Sequence, residues 1–305
     1  MIERTARDPA GPRFIDPNVL ARINNLELVA RTVVDGFISG LHRSRYLGLS
    51  IDFAEHRPYM PGDDIRRIDW RLYARTDRFY VKEYEADTNA NFSVVLDVSA
   101  SMNYGSHGIS KLDYARFLAA SLTYLSSRQR DRLGLITFTG DLVDVVPPSA
   151  KHLETILHTL DRLEPGTKGE FVAPLRKVAE SLNRRSVLAL ISDLYEDPES
   201  IVLALQDLKF RGNDLIVFHV LDPAEVTLDV DNVTSLRDLE TGELLSVVPD
   251  QLRAQYQERV QQHRDTLERR LGESQIDYAF FDTSMPLDQA LFTYLANRQR
   301  LSRVR

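Results

Sequence analysis

The sequence predicts an α/β fold built on a doubly wound, mainly parallel sheet with helices on both faces. Over residues 92–220, short continuous apolar runs alternate with segments whose apolar residues recur at helical spacing. The runs at 92–96, 133–138, 187–191 and 215–220 have the length and texture of strands that are covered on both faces. A regular strand, helix, strand order favours parallel pairing of the strands.

The first 90 residues have a different texture. An amphipathic helix is predicted from Asp16 to near Gly40, because a capping residue is followed by proline and apolar residues recur every three or four positions. We assign residues 1–40 to an N-terminal arm and this helix. Residues 41–90 are rich in aromatic and β-branched side chains and are broken by prolines, which indicates a small β-rich module of strands and turns.

The main domain is placed at residues 91–305. Its helices are predicted from apolar residues at helical spacing, near 111–127, 151–163, 172–182, 200–209, 249–271 and 286–298. A hairpin insertion is expected near 224–248, with Thr241-Gly242 as its turn, and a last strand at 276–281.

Composition and charge exclude several classes of protein. The 305 residues include no cysteine, which excludes disulfides, thiolate zinc sites, iron–sulfur clusters and a cysteine nucleophile. The net charge of -7 argues against a surface devoted to nucleic acid. The apolar runs are far shorter than the about 18 residues of a spanning helix, and residues 1–13 hold no signal-peptide core. We therefore expect a cytoplasmic protein with no membrane partner.

A string of oxygen-bearing side chains stands where the first strand of the sheet is expected to end. Asp97, Ser99 and Ser101 occupy alternate positions there, and ligands of open α/β sheets bind at the carboxyl ends of the strands. Neutral hydroxyls with few carboxylates suit magnesium, which takes oxygen ligands and keeps waters. By spacing alone this D-x-S-x-S string is a weak signal.

The string resembles the metal-ion-dependent adhesion site of von Willebrand factor A domains, in which a threonine and an aspartate from later loops complete the site. Thr167, between two expected helices, and Asp193, directly after the strand at 187–191, stand at the corresponding places. The resemblance implies a von Willebrand factor A-like domain that binds Mg²⁺, with Mn²⁺ or Ca²⁺ as alternatives. The metal ligands implied are Asp97, Ser99, Ser101, Thr167 and Asp193.

The alternative for these residues is helix capping. Ser99 and Ser101 would then cap the helix that follows them, and Asp193 would cap the next one. Each serine taken singly favours capping, whereas the five positions taken together and in order favour a metal site.

A second resemblance lies in the β-rich module. The segment Arg57–Trp70 reads RPYMPGDDIRRIDW and continues as ART at 74–76 and VKEY at 81–84. This segment resembles the hallmark of the DUF58 family, in which it immediately precedes an adhesion-type domain. The resemblance implies a protein that works with a MoxR-type AAA+ ATPase in chaperone-like maturation or activation of an unknown client protein. The bound metal would then recruit an acidic side chain of the ATPase or the client.

Residues 66–82 combine six basic with four aromatic side chains and two aspartates. Such a mixture can bind nucleic acid, which the acidic net charge disfavours. We favour a structural network in which aspartates pair with arginines and Trp70 anchors the core; contact with a partner protein is the second interpretation. The residues assigned to partner or interdomain contact are Arg57, Asp63, Asp64, Arg66, Arg67, Asp69, Trp70 and Arg75.

Motifs of several enzyme classes do not occur in the sequence. It holds no P-loop, no G-x-G-x-x-G, no H-E-x-x-H and no G-x-S-x-G string. The sequence therefore favours a metal-dependent protein-interaction module over an enzyme. The rival hypothesis is a magnesium-dependent phosphohydrolase or nuclease, with Asp193 or Asp141 as the base.

Overall fold

The computed structural model describes residues 16–23, 25–43, 55–60, 68–83, 90–166, 169–182, 185–228, 234–239, 242–247 and 249–294. Two helices come first, α1 (Pro17–Leu20) and α2 (Leu26–Arg43), where the sequence predicts one. Asp16 caps α1 by accepting from the backbone N of Asn18, and Asn25 Oδ1 accepts from the backbone N of Leu28 at 2.8 Å. This second cap starts a new helix although the apolar spacing continues across the break.

The segment expected to be β-rich contains a helix as well as strands. Strands β1 (Glu55–Pro58) and β2 (Tyr80–Glu83) pair antiparallel, and helix α3 (Trp70–Thr76) lies between them in sequence. Asp69 Oδ1 accepts from the backbone N of Leu72 at 3.1 Å and caps this helix. The cap begins a helix in spite of the aromatic and β-branched composition that predicts strands and turns here.

From residue 91 onward the strands are β3 (Asn91–Asp97), β4 (Arg132–Phe138), β5 (Leu142–Ser149), β6 (Ser186–Ser192), β7 (Asp214–Leu221), β8 (Thr234–Arg237), β9 (Leu244–Val247) and β10 (Asp277–Asp282). Six of them form one sheet in the order β10-β7-β6-β3-β4-β5. Every pair in it is parallel except β4–β5, so β5 is an antiparallel edge strand. The predicted α/β class and mainly parallel sheet are confirmed.

Helices cover both faces of this sheet. They are α4 (Lys111–Arg128), α5 (Leu153–Asp161), α6 (Val172–Ser181), α7 (Pro198–Phe210), α8 (Pro223–Thr227), α9 (Pro249–Glu273) and α10 (287–294). One core lies between the sheet and helices α2, α4, α5 and α10, and it includes Val94. The other lies under α6, α7 and α9 and includes Val95. Neighbouring residues of β3 thus face opposite cores, which explains its continuous apolar run.

The insertion expected near residues 224–248 contains a hairpin. Strands β8 and β9 pair as an antiparallel hairpin within residues 224–248, and Gly242 in its turn has a φ of 76°, which glycine adopts without a Cβ clash.

Within the part of the chain that the structure describes, no helix is both long and apolar enough to span a membrane. The division of the chain near residue 91 stays a prediction.

Candidate metal centre

A cleft of about 470 Å³ opens at the carboxyl ends of β3 and β6. Four of the five side chains expected to hold a metal line it: Asp97, Ser99, Ser101 and Asp193. The fifth, Thr167, lies outside the described residues. The loop before it is tied to the turn after β3, because Gly166 N donates to the carbonyl of Val98 at 2.7 Å.

Parallel pairing of neighbouring strands brings these residues together. Leu96 of β3 is in register with Ile191 of β6, so the residues that follow them meet at one edge of the sheet. Ser192 Oγ donates to Asp97 Oδ2 at 2.6 Å, and Ser99 N donates to Asp97 Oδ1 at 2.9 Å. Ser192 is a site residue that the sequence analysis did not assign, although its place at the end of a buried strand, directly before Asp193, was an available signal.

The capping alternative fails for Ser99 and Asp193. Ser99 precedes a short 3-10 helix (Ala100–Asn103), but its side chain makes no capping hydrogen bond; its Oγ lies 3.1 Å from Ser101 Oγ instead. Helix α7 is capped by Asp197, which accepts from the backbone N of Ser200. Neither side chain caps these helices, and both line the cleft.

Electrostatics at Asp97 call for a positive charge. Its side chain is buried, and burial together with the negative charge of Asp193 raises its pKa from 3.8 to about 7. Two carboxylates and two hydroxyls form an oxygen-only donor set, which fits a hard cation such as Mg²⁺. Over the described ranges, no group of three or more His, Asp or Glu side chains is placed to hold a metal, so an ion in this cleft depends on the hydroxyls of Ser99 and Ser101.

A buried lysine supplies part of that positive charge. Lys111 Nζ lies 2.8 Å from Asp193 Oδ2 and 2.8 Å from Glu225 Oε1, and 4.6 Å from the ring centroid of Tyr195. Burial by itself lowers the pKa of Lys111, but the two carboxylates outweigh it and raise the pKa above its ordinary value. Lys111 therefore carries a full charge in the folded chain.

Sequence reasoning missed both Lys111 and Glu225. A lysine in the first turn of a helix is unfavourable with the helix dipole, and Lys111 is the first residue of α4. That misplaced charge was an available signal for Lys111. We find no comparable sequence signal for Glu225, which looks like an ordinary acidic residue in the first turn of α8.

Helix α8 is fixed in place by Asp222, at the end of β7. Asp222 Oδ1 accepts from Ala224 N at 2.8 Å, and Asp222 Oδ2 accepts from Ser106 N at 2.8 Å. Its own backbone N donates to Glu225 Oε2 at 2.9 Å. These bonds join α8 to the loop that follows the 3-10 helix, so the carboxylate of Glu225 is held at the cleft by neighbouring elements on both sides.

The residue after Asp193 has a strained backbone. Leu194 is buried and has a φ of 49°, in the left-handed region that bulky residues rarely adopt. Leu194 N donates to Ser192 Oγ at 3.1 Å, and its carbonyl accepts from His263 Nε2 at 2.8 Å. The two bonds hold a conformation that turns the chain sharply just beyond Asp193.

The residues assigned to partner or interdomain contact are only partly described. Outside the described residues lie Asp63, Asp64, Arg66 and Arg67. Arg57 belongs to β1, Asp69 caps α3, and Arg75 is exposed at the end of α3. Trp70 is 56% exposed, so the expectation that it anchors a core is wrong. Its helix begins after Ile68, and Ile68 is the buried residue.

Asp141, the alternative base of the enzyme hypothesis, is engaged elsewhere. Its carboxylate is exposed, and Oδ1 accepts from Lys177 Nζ at 2.6 Å. This hydrogen bond lowers the pKa of Asp141 below its ordinary value. Asp141 is not among the residues that line the cleft.

The sheet order and the oxygen side chains at its carboxyl edge define an α/β protein of the von Willebrand factor A-like class. The family model described as "Protein of unknown function DUF58" matches residues 55–266. The chain belongs to the DUF58 family, as its hallmark segment predicts.

Several known proteins are similar to this chain. Uncharacterized protein Rv1480 of Mycobacterium tuberculosis is 32% identical over 233 residues, which cover 74% of this chain and 73% of the relative. The crystal structure of BatB from Bacteroides thetaiotaomicron aligns at a TM-score of 0.50 and 17% identity, over 69% of this chain and 99% of BatB. The crystal structure of the SpRpn10 VWA domain aligns at a TM-score of 0.41 and 12% identity, over 66% of this chain and 94% of that domain. The BatB likeness shows the fold alone.

Proposed function

We propose that this chain is a protein-interaction module whose binding surface is gated by a divalent cation, Mg²⁺ in the first place. The observation that carries the proposal is the meeting of Asp97, Ser99, Ser101 and Asp193 in one cleft, with the pKa of Asp97 raised to about 7. A divalent ion there would neutralise two carboxylates and offer an open position to a carboxylate of the partner.

The residues of the chain divide this task. Asp97 and Asp193 supply the negative charge, and the hydroxyls of Ser99 and Ser101 add oxygen without further charge. Thr167 is the fifth ligand of the proposal. With only two carboxylates, the site would remain electrophilic enough to attract an acidic side chain from outside.

The rest of the cleft is suited to an acidic side chain with apolar neighbours. Tyr104, Tyr195 and Tyr256 line it together with Leu228 and, from the turn of the β8–β9 hairpin, Leu239. Rings and aliphatic side chains around a charged centre exclude water and strengthen the interaction with a carboxylate. The partner's acidic residue is therefore expected to be flanked by aliphatic or aromatic ones.

The proposed partners are a MoxR-type AAA+ ATPase and its client protein. Membership in the DUF58 family supports this proposal. The proposed location of the protein is the cytoplasm. Trp70, Phe79 and Arg75 are exposed, which favours partner contact over a buried network for this part of the chain. Trp70 and Phe79 lie edge to face, with ring centroids 6.4 Å apart.

A pull-down of the MoxR-type ATPase by the full chain tests both parts of this proposal. Binding is expected in Mg²⁺, and it should be lost in EDTA and in Asp97→Asn. The matched control is Asp141→Asn, which removes an exposed carboxylate outside the cleft and should bind normally. Binding that survives both EDTA and Asp97→Asn would show that the metal does not gate the surface. Mg²⁺ binding by calorimetry without ATPase binding would show that the partner is wrong.

A further inference from the structure

The position of Lys111 indicates which ion the cleft prefers. This inference rests on the proposed function, in which a divalent cation binds in the cleft. Lys111 is fully buried (0% exposed) and belongs to α4. Its ammonium contacts two of the carboxylates that line the cleft. A buried ammonium with two carboxylate partners is a fixed part of the site, because releasing it would leave three charges uncompensated.

Lys111 first restricts Asp193. Asp193 Oδ2 accepts the ammonium at 2.8 Å, which leaves Oδ1 as the oxygen that can face an ion. This hydrogen bond engages one lone pair of Oδ2 and draws its charge toward the ammonium, which disfavours the contact of one cation with both oxygens. We therefore expect Asp193 to bind an ion through Oδ1.

Lys111 also keeps the carboxylate of Glu225 from binding an ion in the cleft. Glu225 lines the same cleft, and its Oε1 accepts from Lys111 while its Oε2 accepts from the backbone N of Asp222. Asp193 Oδ2 and Glu225 Oε1 each lie 2.8 Å from the same nitrogen. The two oxygens therefore already share one cation, the ammonium of Lys111.

These restrictions matter because Mg²⁺ and Ca²⁺ differ in what they need. Ca²⁺ takes six to eight oxygens and often binds carboxylates through both oxygens, whereas Mg²⁺ takes six ligands and keeps several waters. We propose that Lys111 is a specificity-determining residue, which withholds carboxylate oxygens of Asp193 and Glu225 and so makes the cleft prefer Mg²⁺ over Ca²⁺.

Charge leads to the same conclusion. Asp97, Asp193 and Glu225 carry three negative charges when ionised, and Lys111 offsets one of them. One divalent ion then neutralises the remainder. Without Lys111 the cleft gains one negative charge and up to two more carboxylate oxygens, and both changes raise affinity for Ca²⁺.

Calorimetric titration of the metal-free full chain with MgCl₂ and with CaCl₂ tests the inference. Lys111→Met keeps the length of the side chain and removes its charge, and it should raise Ca²⁺ affinity relative to Mg²⁺ by about tenfold or more. Glu225→Gln, in which Lys111 still holds Asp193, should leave that ratio within about twofold of the wild type. The double variant should fall between the two single variants, because Asp193 Oδ2 is freed while Glu225 is neutral.

The double variant also guards against misfolding of Lys111→Met, because it removes one of the two carboxylates left without a counter-ion. Far-ultraviolet circular dichroism checks the fold of each variant. If Lys111→Met is unfolded, a ratio shift of about threefold in the double variant supports the inference and an unchanged ratio overturns it. An unchanged ratio in a folded Lys111→Met chain overturns it while the proposed function stands. If the wild type binds neither ion, both fall.

Discussion

The hydroxyl of Ser192 donates a hydrogen bond of 2.6 Å to Asp97 Oδ2 and so joins the ends of two neighbouring parallel strands. Both residues are buried. Since Ser99 N holds the other oxygen of the same carboxylate, the orientation of Asp97 is set by β6 as well as by the turn that follows its own strand. The geometry of the cleft therefore depends on a residue that carries no charge.

Replacing Ser192 should destabilise the fold. Ser192→Ala removes a buried hydrogen bond to a carboxylate, and the expected loss in the free energy of unfolding is about 1–3 kcal/mol, measured by urea denaturation. The matched control is Ser181→Ala, whose hydroxyl bonds only to the carbonyl of Val178 in its own helix. That change should cost less than about 0.5 kcal/mol. Equal losses in the two variants would contradict the role assigned to Ser192.

Asp97 should give the metal-free chain an unusual dependence of stability on pH. Its pKa is about 7 in the folded chain against 3.8 ordinarily, so between these values the folded chain holds a proton that the unfolded chain has released. Its contribution to the free energy of unfolding therefore falls as pH rises from about 4 to about 7. In Asp97→Asn this fall should be absent. Urea denaturation in EDTA across this window measures the difference between variant and wild type, and a difference that does not change with pH would contradict the assignment.

His219 should give the free energy of unfolding the opposite dependence on pH. Burial in the first place, and electrostatic interaction with the neighbouring His263 in the second, lower the pKa of His219 from 6.5 to about 3. The unfolded chain therefore takes up a proton below about pH 6.5 that the folded chain does not, and stability is lost as pH falls toward about 3. His219→Gln should gain stability relative to the wild type as pH is lowered, in the same denaturation assay.

The control for His219 is His158→Gln, because His158 is exposed on α5. This variant shows what the loss of an exposed histidine does in the same assay. A His219→Gln curve parallel to the wild-type curve would contradict the lowered pKa of His219, because it would mean that His219 takes up its proton equally in the folded and unfolded chains.

The contrast between Trp70 and Ile68 predicts unequal losses of stability. Trp70→Ala should cost less than about 1 kcal/mol, because the ring is more than half exposed and lies edge to face with Tyr73 and with Phe79. Ile68→Ala removes a buried side chain and should cost about 2–4 kcal/mol. Thermal or urea unfolding compares the two. A larger loss for Trp70→Ala would restore the tryptophan as a core anchor.

Much of the cleft could be predicted because its residues follow strands. A continuous apolar run marks a strand buried on both faces, and the residues directly after it must lie at the ligand-binding edge of the sheet. This rule places Asp97 at that edge, and the resemblance to von Willebrand factor A domains adds Asp193. Two local errors, the helix at Trp70 and the break before Leu26, arose where a capping side chain overrode the apolar pattern.

The charged part of the cleft could not be predicted from periodicity. Lys111 meets partners that are 82 and 114 positions away in the sequence, and the spacing of apolar residues contains no information about which distant polar side chains meet. Ser106 and Asp222, 116 positions apart, are a further example. Such contacts depend on how the loops after β3, β6 and β7 fold over the sheet edge.

Strand β5, the antiparallel strand at one edge of the sheet, ends in Val146-Pro147-Pro148-Ser149. An edge strand offers unpaired backbone groups to any other strand that approaches it. Pro147 and Pro148 have no N–H to donate, so a strand that paired along this stretch would leave its own carbonyls without partners. The last part of this edge strand is therefore protected against pairing with another strand.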